Sequence, residues 1–394
     1  MAETLYILSG KRTPFGAYGG SLKDWNPSDL SAAAGRAALE QAGVSPEQIQ
    51  HVILGNVLHS AGDSIYTPRH MGLKLGVPKS VPALGINRLC GSGFQTVIEA
   101  YHQMLAGDTD CALVGGVENM SLAPYVLKNA RWGMRMGHSE VTDMMTEALT
   151  DSFVQIPMAI TAENLAVQYK ISREESDAFA LRSQTLAAAA VKAGRFKEEI
   201  APLEIKDRKG GITKLDRDEH ARPETTIETL AKLKAIFKKD GVVTAGNASG
   251  IVDGAAALVV ANEKFTKQSG AKPLARLAGY AVVGCDPTIM GIGPAPAIRE
   301  LLKRTGRTLN EIDLIEVNEA FAPQTIAVER ELKLDREKLN VNGGAIAIGH
   351  PLAASGSRIT MHVLYELRRQ KKRWGIGSAC IGGGQGIALL IEAL

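Results

Sequence analysis

Four cysteines, at positions 90, 111, 285 and 380, with no CxxC pair among them, leave this 394-residue chain without a disulfide framework or a structural zinc site. Such usage fits a reducing compartment and keeps the thiols free for chemistry. An excess of charge of one sign is also missing. Against 42 acidic residues stand 45 basic ones, a net charge of +3, so no overall field draws the chain to nucleic acid or to a membrane surface. An anionic ligand must therefore be met by local groups. No apolar run approaches the length of a membrane span, and the start MAETLYILSGKRTPFG places an acid before its short apolar stretch and bases after it, the wrong order for a signal peptide. Two nucleotide signatures are incomplete. Gly344 and Gly349 resemble a phosphate loop, but His350 and Pro351 stand where Lys and Ser or Thr belong, and neither CGSGFQ nor GGGQG completes GxGxxG. Nucleotide hydrolysis and dinucleotide-dependent hydride transfer lose their support.

What is present is an apolar content of 45% in a chain long enough for two or three domains. Residues 5–9 read as a buried strand. Asn26 and Pro27 look like the cap and first position of a helix ending at Gly43, and VILGNV (52–57) and CALVGG (111–116) read as further strands. From 271 the same alternation returns with ARLAGYAVVG, APAIRELLKRTG, LIEVNEAF, SRITMHVLYELRRQ and WGIGSAC. Strands alternating with helices predict an α/β fold whose sheets are covered on both faces. The two series share a register: Asn56 and Asn318 stand 262 positions apart, and so do Val114 and Ile376. The closing strands GAAALVVANE and GIALLIEAL match at 132 positions instead, which points to an insertion in the first of two duplicated halves. The expected domains are 1–120 plus 250–270, an inserted segment 121–249, and 271–394. The insertion carries a Met, Trp and Arg stretch at 131–136, helix signals after Ser172, and the basic run KLKAIFKK (232–239). That run is either a solvated helix face or an anion-facing lid.

The stretch NRLCGSGFQTVIEAYHQMLAG places Cys90 just ahead of a helix, where unpaired N–H groups and the helix dipole favour a thiolate, with Gly91 and Gly93 keeping the approach open. Cys90 is a candidate nucleophile; the alternative is a small buried residue at a tight turn. In the second half the equivalent turn, VNGGAIAIGHPLAASG, carries His350, and a pseudo-twofold would bring that histidine to Cys90 as its base. Alone, His350 would read as structural. Cys380 in SACIGGGQG ends a strand beside Gly382, Gly383 and Gly384, a bare backbone suited to an oxyanion, with a second thiol able to move protons. Asn318 in VNEAFAP is a strand-end amide able to hold a water or an oxyanion. Cys111, Cys285 and the other seven histidines lack such company.

Taken together, NRLCGSGF, VNEAFAP, NGGAIAIGHP and SACIGGGQG closely resemble the thiolase family over nearly the whole chain, and KRTPFGAYGG, GNVLHSAGDSIY, DEHARPETT and GCDPTIMGIGP are most similar to its 3-ketoacyl-CoA thiolases. The resemblance implies two α/β halves in a five-layered αβαβα core with an inserted loop domain for CoA and oligomer contacts, assembled as a tetramer or dimer. It implies that Cys90 is acylated, that His350 activates it, that Cys380 exchanges a proton with the α-carbon or the CoA thiol, and that Asn318 with His350 forms one oxyanion hole. The backbone N–H groups of Cys90 and Gly382 would form the other. Arg222 and Thr225 match CoA-contacting positions, and Ser249 matches a residue beside the pantetheine. The implied reaction is thiolysis of 3-ketoacyl-CoA as in fatty-acid β-oxidation, with acetoacetyl-CoA formation as the near alternative and a noncatalytic CoA-thioester binding protein as the remote one. CoA enters as a substrate, and no metal or resident cofactor is expected. The expected location is a bacterial cytoplasm, with the mitochondrial matrix as alternative. One departure stands out: HPLAASG replaces the HPLGGSG common among close relatives, which places the methyls of Ala353 and Ala354 near His350.

Overall fold

The computed structural model describes residues 4–206 and 210–394. Its spine is one mixed sheet of nine main strands: β1 Tyr6–Arg12, β2 His51–Gly55, β3 Ala83–Ile86, β4 Cys111–Glu118, β5 Val252–Ala261, β6 Ala275–Gly284, β7 Leu314–Val317, β8 Trp374–Ile381 and β9 Gln385–Ala393. They lie in the order β7-β8-β9-β6-β1-β5-β4-β2-β3. The two halves of this sheet meet at a narrow seam, where β1 and β6 pair through only Tyr6 opposite Arg276 and Ile7 opposite Ala275.

Alternation of side chains explains the layers. On β2, Ile53 faces a central cluster while Val52 and Leu54 face an outer one; on β9, Leu389 faces the centre and Leu390 the opposite outer face. The centre is filled by two helices, α3 Ser92–Ala106 and α7 Leu352–Arg369, around which the sheet folds. The first outer face is covered by α1 Pro27–Ala42 and α2 Thr67–Leu75, the second by α5 Pro294–Thr305 and α6 Ala322–Leu332. Helix, sheet, helix, sheet and helix thus make five layers. Helix α1 starts with Pro27 in its first turn and stops at Gly43, whose φ of 64° is left-handed. The Asn26 side chain makes no cap bond, contrary to expectation.

The internal repeat is visible in the hydrogen-bond register. In the parallel pair β2–β4, Ile53 lies opposite Val114; in the parallel pair β7–β8, Ile315 lies opposite Ile376. Each residue of the second pair follows its counterpart by 262 positions. On the next strand over, Glu118 lies opposite Gly254 and Cys380 opposite Gly386. Strand LIEVNEAF is shorter than expected, ending at Val317, and leaves Asn318 on the connection that leads into α6.

The central helices touch backbone to backbone. A Cβ on Gly93 would lie 2.5 Å from the Ser357 amide nitrogen, and one on Gly356 would lie 2.3 Å from that of Phe94. These two glycines are where the absence of a side chain is required.

Between β4 and β5 the chain forms α4 Arg173–Lys192, several short helices and antiparallel two-strand pairs. Ser172 caps α4 in a capping box with Glu175. Leu165, Phe179 and Leu230 pack into the second outer cluster with Ile298 and Ile326. A buried ion cluster ties this segment to the sheet: Arg12 grips Asp218 through two bonds of 2.7 and 2.9 Å and Glu199 through one of 2.8 Å. Removing Arg12 would leave the buried Asp218 without its cation, while Glu199 keeps His362 at 2.8 Å, at a cost of roughly 3–5 kcal/mol.

Candidate active site

Cys90 lies in a single 3-10 turn, Leu89–Gly91, that feeds α3. The turn is stapled by Ser92, whose Oγ accepts from the Arg88 amide at 2.9 Å and donates to the Leu89 carbonyl at 2.7 Å. Leu89 pays with a left-handed φ of 46°. The neighbouring glycines serve packing rather than substrate entry: a Cβ on Gly91 would lie 2.6 Å from Ile381, and Gly93 meets α7. Cys90 is therefore pressed against the end of β8, where Cys380 sits.

The sulfur's environment reverses one expectation. Cys90 keeps partial contact with solvent, yet the surrounding protein pushes its thiol up to about 11. Burial is the largest influence and Glu118 adds to it, while the backbone N–H groups of Gly382 and of Cys90 itself pull the other way. The helix end alone does not make a resting thiolate. Cys380 is fully buried and its thiol is raised well above the ordinary range, first by burial and then by Cys90 and Cys285.

His350 is buried at the start of α7 and is pushed down to about 3, by burial first and then by the charge of Arg358. Its amide donates to the Gly250 carbonyl at 2.9 Å. Ring atom Nδ1 lies 2.6 Å from Ser355 Oγ, and Nε2 lies 3.3 Å from Asn318 Nδ2. Arg358, itself buried, pairs with Glu316 at the end of β7. The Asn318 amide N–H donates to the Ser378 carbonyl at 2.9 Å, which ties it to β8, and its Oδ1 is buried without a partner among the described residues. Gly382, Gly383 and Gly384 form the turn between β8 and β9; Gly383 and Gly384 have φ of 81° and 83°. Apolar walls surround both thiols. Leu58, Met120 and Leu352 cluster with Cys90, and Met290 and Ala320 with Cys380.

The methyls of Ala353 and Ala354 do not crowd this cluster's polar groups. Ala354 joins the central core, and fully buried Ala353 donates its amide to Glu118 Oε2 at 3.2 Å.

A separate cleft of about 290 Å³ is lined by His220, Arg222, Thr225, Leu233 and Gly246 among others. The Arg222 amide is held by Gln184 Oε1 at 2.9 Å, Thr225 Oγ1 donates to the Arg222 carbonyl at 2.7 Å, and the Arg222 guanidinium makes no ion pair among the described residues. Ser249 and Gly250 stand between the cleft residue His220 and the groups around the thiols: His220 packs on Gly250, whose carbonyl holds the His350 amide, and the Ser249 amide donates to the Ala320 carbonyl. The basic run 232–239 is not helical. It follows the short helix Ile227–Ala231 as exposed turns, with Leu233 on the cleft wall.

The structure thus assembles Cys90, Gly382 and Cys380 on one side and His350 with Asn318 on the other, at the same ends of the sheets. Sequence reasoning missed Glu118, Ser355 and Arg358. The first had a signal, since Glu118 precedes Cys380 by the same 262 positions as Asn56 precedes Asn318.

Residues 5–264 match the family model for the thiolase N-terminal domain, and 271–393 match that for the C-terminal domain. The chain belongs to the thiolase family. It is 56% identical over 390 residues to the human protein named "3-ketoacyl-CoA thiolase, mitochondrial", covering 99% of this chain and 98% of that one. To "Beta-ketothiolase BktB" of Cupriavidus necator it is 47% identical, with full coverage of both. The crystal structure of human mitochondrial 3-ketoacyl-CoA thiolase superposes with a TM-score of 0.98 at 55% identity, covering 100% of both chains; the same human enzyme in complex with CoA gives 0.97 at 54%, covering 100% of this chain and 98% of that one.

Proposed function

We propose that this thiolase cleaves 3-ketoacyl-CoA with CoA to acetyl-CoA and a shortened acyl-CoA, the thiolytic step of fatty-acid β-oxidation. The observation that carries the proposal is the grouping, at the same ends of the sheets, of Cys90 beside the buried Cys380 and the Gly382 N–H, with His350 held between Asn318 at 3.3 Å and Ser355 at 2.6 Å. His350 Nε2 takes the Cys90 proton as the sulfur adds to the 3-keto carbon, so charge appears only when substrate is present to receive it. Collapse of the adduct breaks C2–C3, leaves the acyl group on Cys90 and puts the electron pair on the acetyl-CoA enolate, which takes a proton from Cys380. The incoming CoA thiol gives its proton to the Cys380 thiolate and attacks the thioester; Cys90 leaves and regains its proton from His350. Asn318 with His350 serves one developing oxyanion, and the N–H groups of Cys90 and Gly382 serve the other.

Arg222 and Thr225 hold CoA in their cleft, and Ser249 lies along the pantetheine path to Cys90; the Arg222 guanidinium on the cleft wall, unpaired among the described residues, supports this, and the human relative solved in complex with CoA supports CoA as the ligand. The domains follow as 1–120 plus 250–270, 121–249 and 271–394. The working form is a homo-oligomer, tetramer or dimer, because Trp132 is 84% exposed and Tyr125, Met134 and Met136 lie bare beside it, an apolar patch that a monomer would leave in water. A reduced Cys90 calls for a reducing compartment, bacterial cytoplasm or mitochondrial matrix; the word "mitochondrial" in the name of the human relative supports the second.

Acetoacetyl-CoA formation from two acetyl-CoA uses the same groups in reverse and draws support from relatives named acetyl-CoA acetyltransferase at 47–49% identity. Thiolysis of acetoacetyl-CoA compared with a medium-chain 3-ketoacyl-CoA separates the two: a preference for the longer chain supports β-oxidation, and strict preference for acetoacetyl-CoA overturns it. Failure of acyl-CoA to label Cys90 would overturn both.

A further inference from the structure

We propose that Ser355 is the positioning residue that decides which nitrogen of His350 acts as the base. The inference rests on reading His350 as the base for Cys90.

It follows from the direction of a short chain of hydrogen bonds whose far end is a backbone carbonyl. The Pro351 carbonyl, which also accepts the Ala354 and Ser355 amides, can only accept, and Ser355 Oγ lies 3.1 Å from it; in the proposed chain the hydroxyl places its single proton there. Such back-bonding by a serine in the first turns of a helix is common on its own. Here it has a second effect. With its proton committed, Ser355 Oγ faces His350 Nδ1 at 2.6 Å as a pure acceptor, so Nδ1 must carry the hydrogen. A neutral imidazole with Nδ1–H has a bare Nε2.

The other side of the ring is compatible with this. With Nε2 bare, Asn318 Nδ2, 3.3 Å away, donates to it, and the amide orientation follows from the tautomer. Asn318 Oδ1 is left as the buried, unpartnered atom, an acceptor pointed at no protein group among those described. The order is Asn318 to His350 to Ser355 to Pro351, with every proton pointing toward the start of α7. A Cys90 proton arriving at Nε2 makes the imidazolium with the Nδ1–H to Ser355 left in place, and only the long Asn318 N–H contact gives way.

Selective 15N labelling of histidine in the full-length protein, with His350 assigned by loss of its signals in His350→Asn, reads the tautomer directly by NMR at neutral pH. A protonated Nδ1 and a bare Nε2 are expected; an Nε2–H tautomer overturns the proposal whether or not any variant folds. Ser355→Ala should lower the rate of Cys90 acetylation by acetyl-CoA roughly 10- to 100-fold, with little change in KM, and admit the Nε2–H form in the 15N spectrum. Ser355→Thr, which keeps the hydroxyl, should restore most of the rate. Equal rates and the same tautomer in Ser355→Ala and in the native protein overturn the role of Ser355. His350→Asn separates the two levels: if it acetylates Cys90 at the native rate, the assignment of the base has failed; if it is inert while Ser355→Ala acetylates at the native rate, only the role of Ser355 has.

Discussion

The two halves of this thiolase place the same pair of strand ends at equivalent addresses and make opposite use of them. At the first, the Asn56 amide donates to Glu118 at 3.0 Å and to the Val117 carbonyl at 3.1 Å, and Glu118 also collects the N–H groups of Val57, Leu58 and Ala353. At the second, Asn318 offers its amide to a histidine, and the position of Glu118 is taken by Cys380, a buried thiol with no hydrogen-bond partner among the described residues. The first corner ties the Asn56 N–H groups and the Glu118 carboxyl to one another and to the backbone, and leaves Asn56 Oδ1 alone without a partner among the described residues. The second keeps its hydrogen-bonding capacity for something that arrives. Backbone address set by duplication therefore determines where a side chain stands, and the degree of polar satisfaction determines whether it holds the fold or does chemistry.

The sharpest test of the comparison is to remove the chemistry from the second corner. Cys90→Ala should abolish both acylation and turnover. Cys380→Ser should still acquire an acetyl group on Cys90 from acetyl-CoA, while exchange of the acetyl α-protons with solvent and C–C cleavage fall by orders of magnitude, because a serine hydroxyl is too weak an acid to replace the thiol. Mass spectrometry of the labelled peptide and deuterium exchange check both; acetyl found on Cys380, or full exchange in Cys380→Ser, reverses the assignment.

The first corner should fail in stability instead. Glu118→Gln turns one acceptor oxygen into a donor that faces backbone N–H groups, so denaturant unfolding should show a loss of about 3 kcal/mol. Asn318→Ala should cost less than about 1 kcal/mol by the same measurement while turnover drops; comparable destabilisation by both would erase the distinction.

A smaller effect belongs to the cleft outside either corner. Arg222→Ala should raise KM for CoA several-fold with kcat nearly unchanged, since a contact remote from the reacting carbon acts alike in ground and transition states. An unchanged KM would remove Arg222 from CoA binding.

The last expected effect is close to none. With the Cys90 thiol at about 11 and the His350 imidazole at about 3, the thiol keeps its proton below the first value and the ring stays bare above the second. Both partners are then in their working forms across neutral pH, and the single-turnover rate of Cys90 acylation should be flat from about pH 5 to 9. A preformed ion pair would instead lose rate on the acid side as the thiolate took up a proton.

The repeat was legible in the amino-acid sequence because strand pairing preserves spacing: Asn56 with Asn318 and Val114 with Ile376 are separated alike, and the hydrogen-bond registers keep that separation. The four-part constellation of Cys90, Asn318, His350 and Cys380 was legible for the same reason, since each stands where a strand or helix begins or ends. Charge state was not. A helix start argues for a thiolate at Cys90, but burial outweighs it, and burial depends on residues far along the chain. The roles of Gly91 and Gly93 were hidden likewise, because their neighbours Ile381 and Ser357 lie in the other half. Ser355 needed the start of α7 to be known before its reach back to Pro351 and across to His350 had any meaning.

The crossing of the two central helices at Gly93 and Gly356 bears on how this enzyme answers to force. One helix follows the turn that carries Cys90 and the other follows His350, and where they touch, backbone lies against backbone with Ser357 Oγ and the Phe94 ring packed alongside. A contact of that kind has few rotamers to shift and little void to close, so it is among the less compressible joints a protein can make. The gap between nucleophile and base should then hold steady under hydrostatic pressure, and acylation in a pressure cell should slow only when the fold itself gives way.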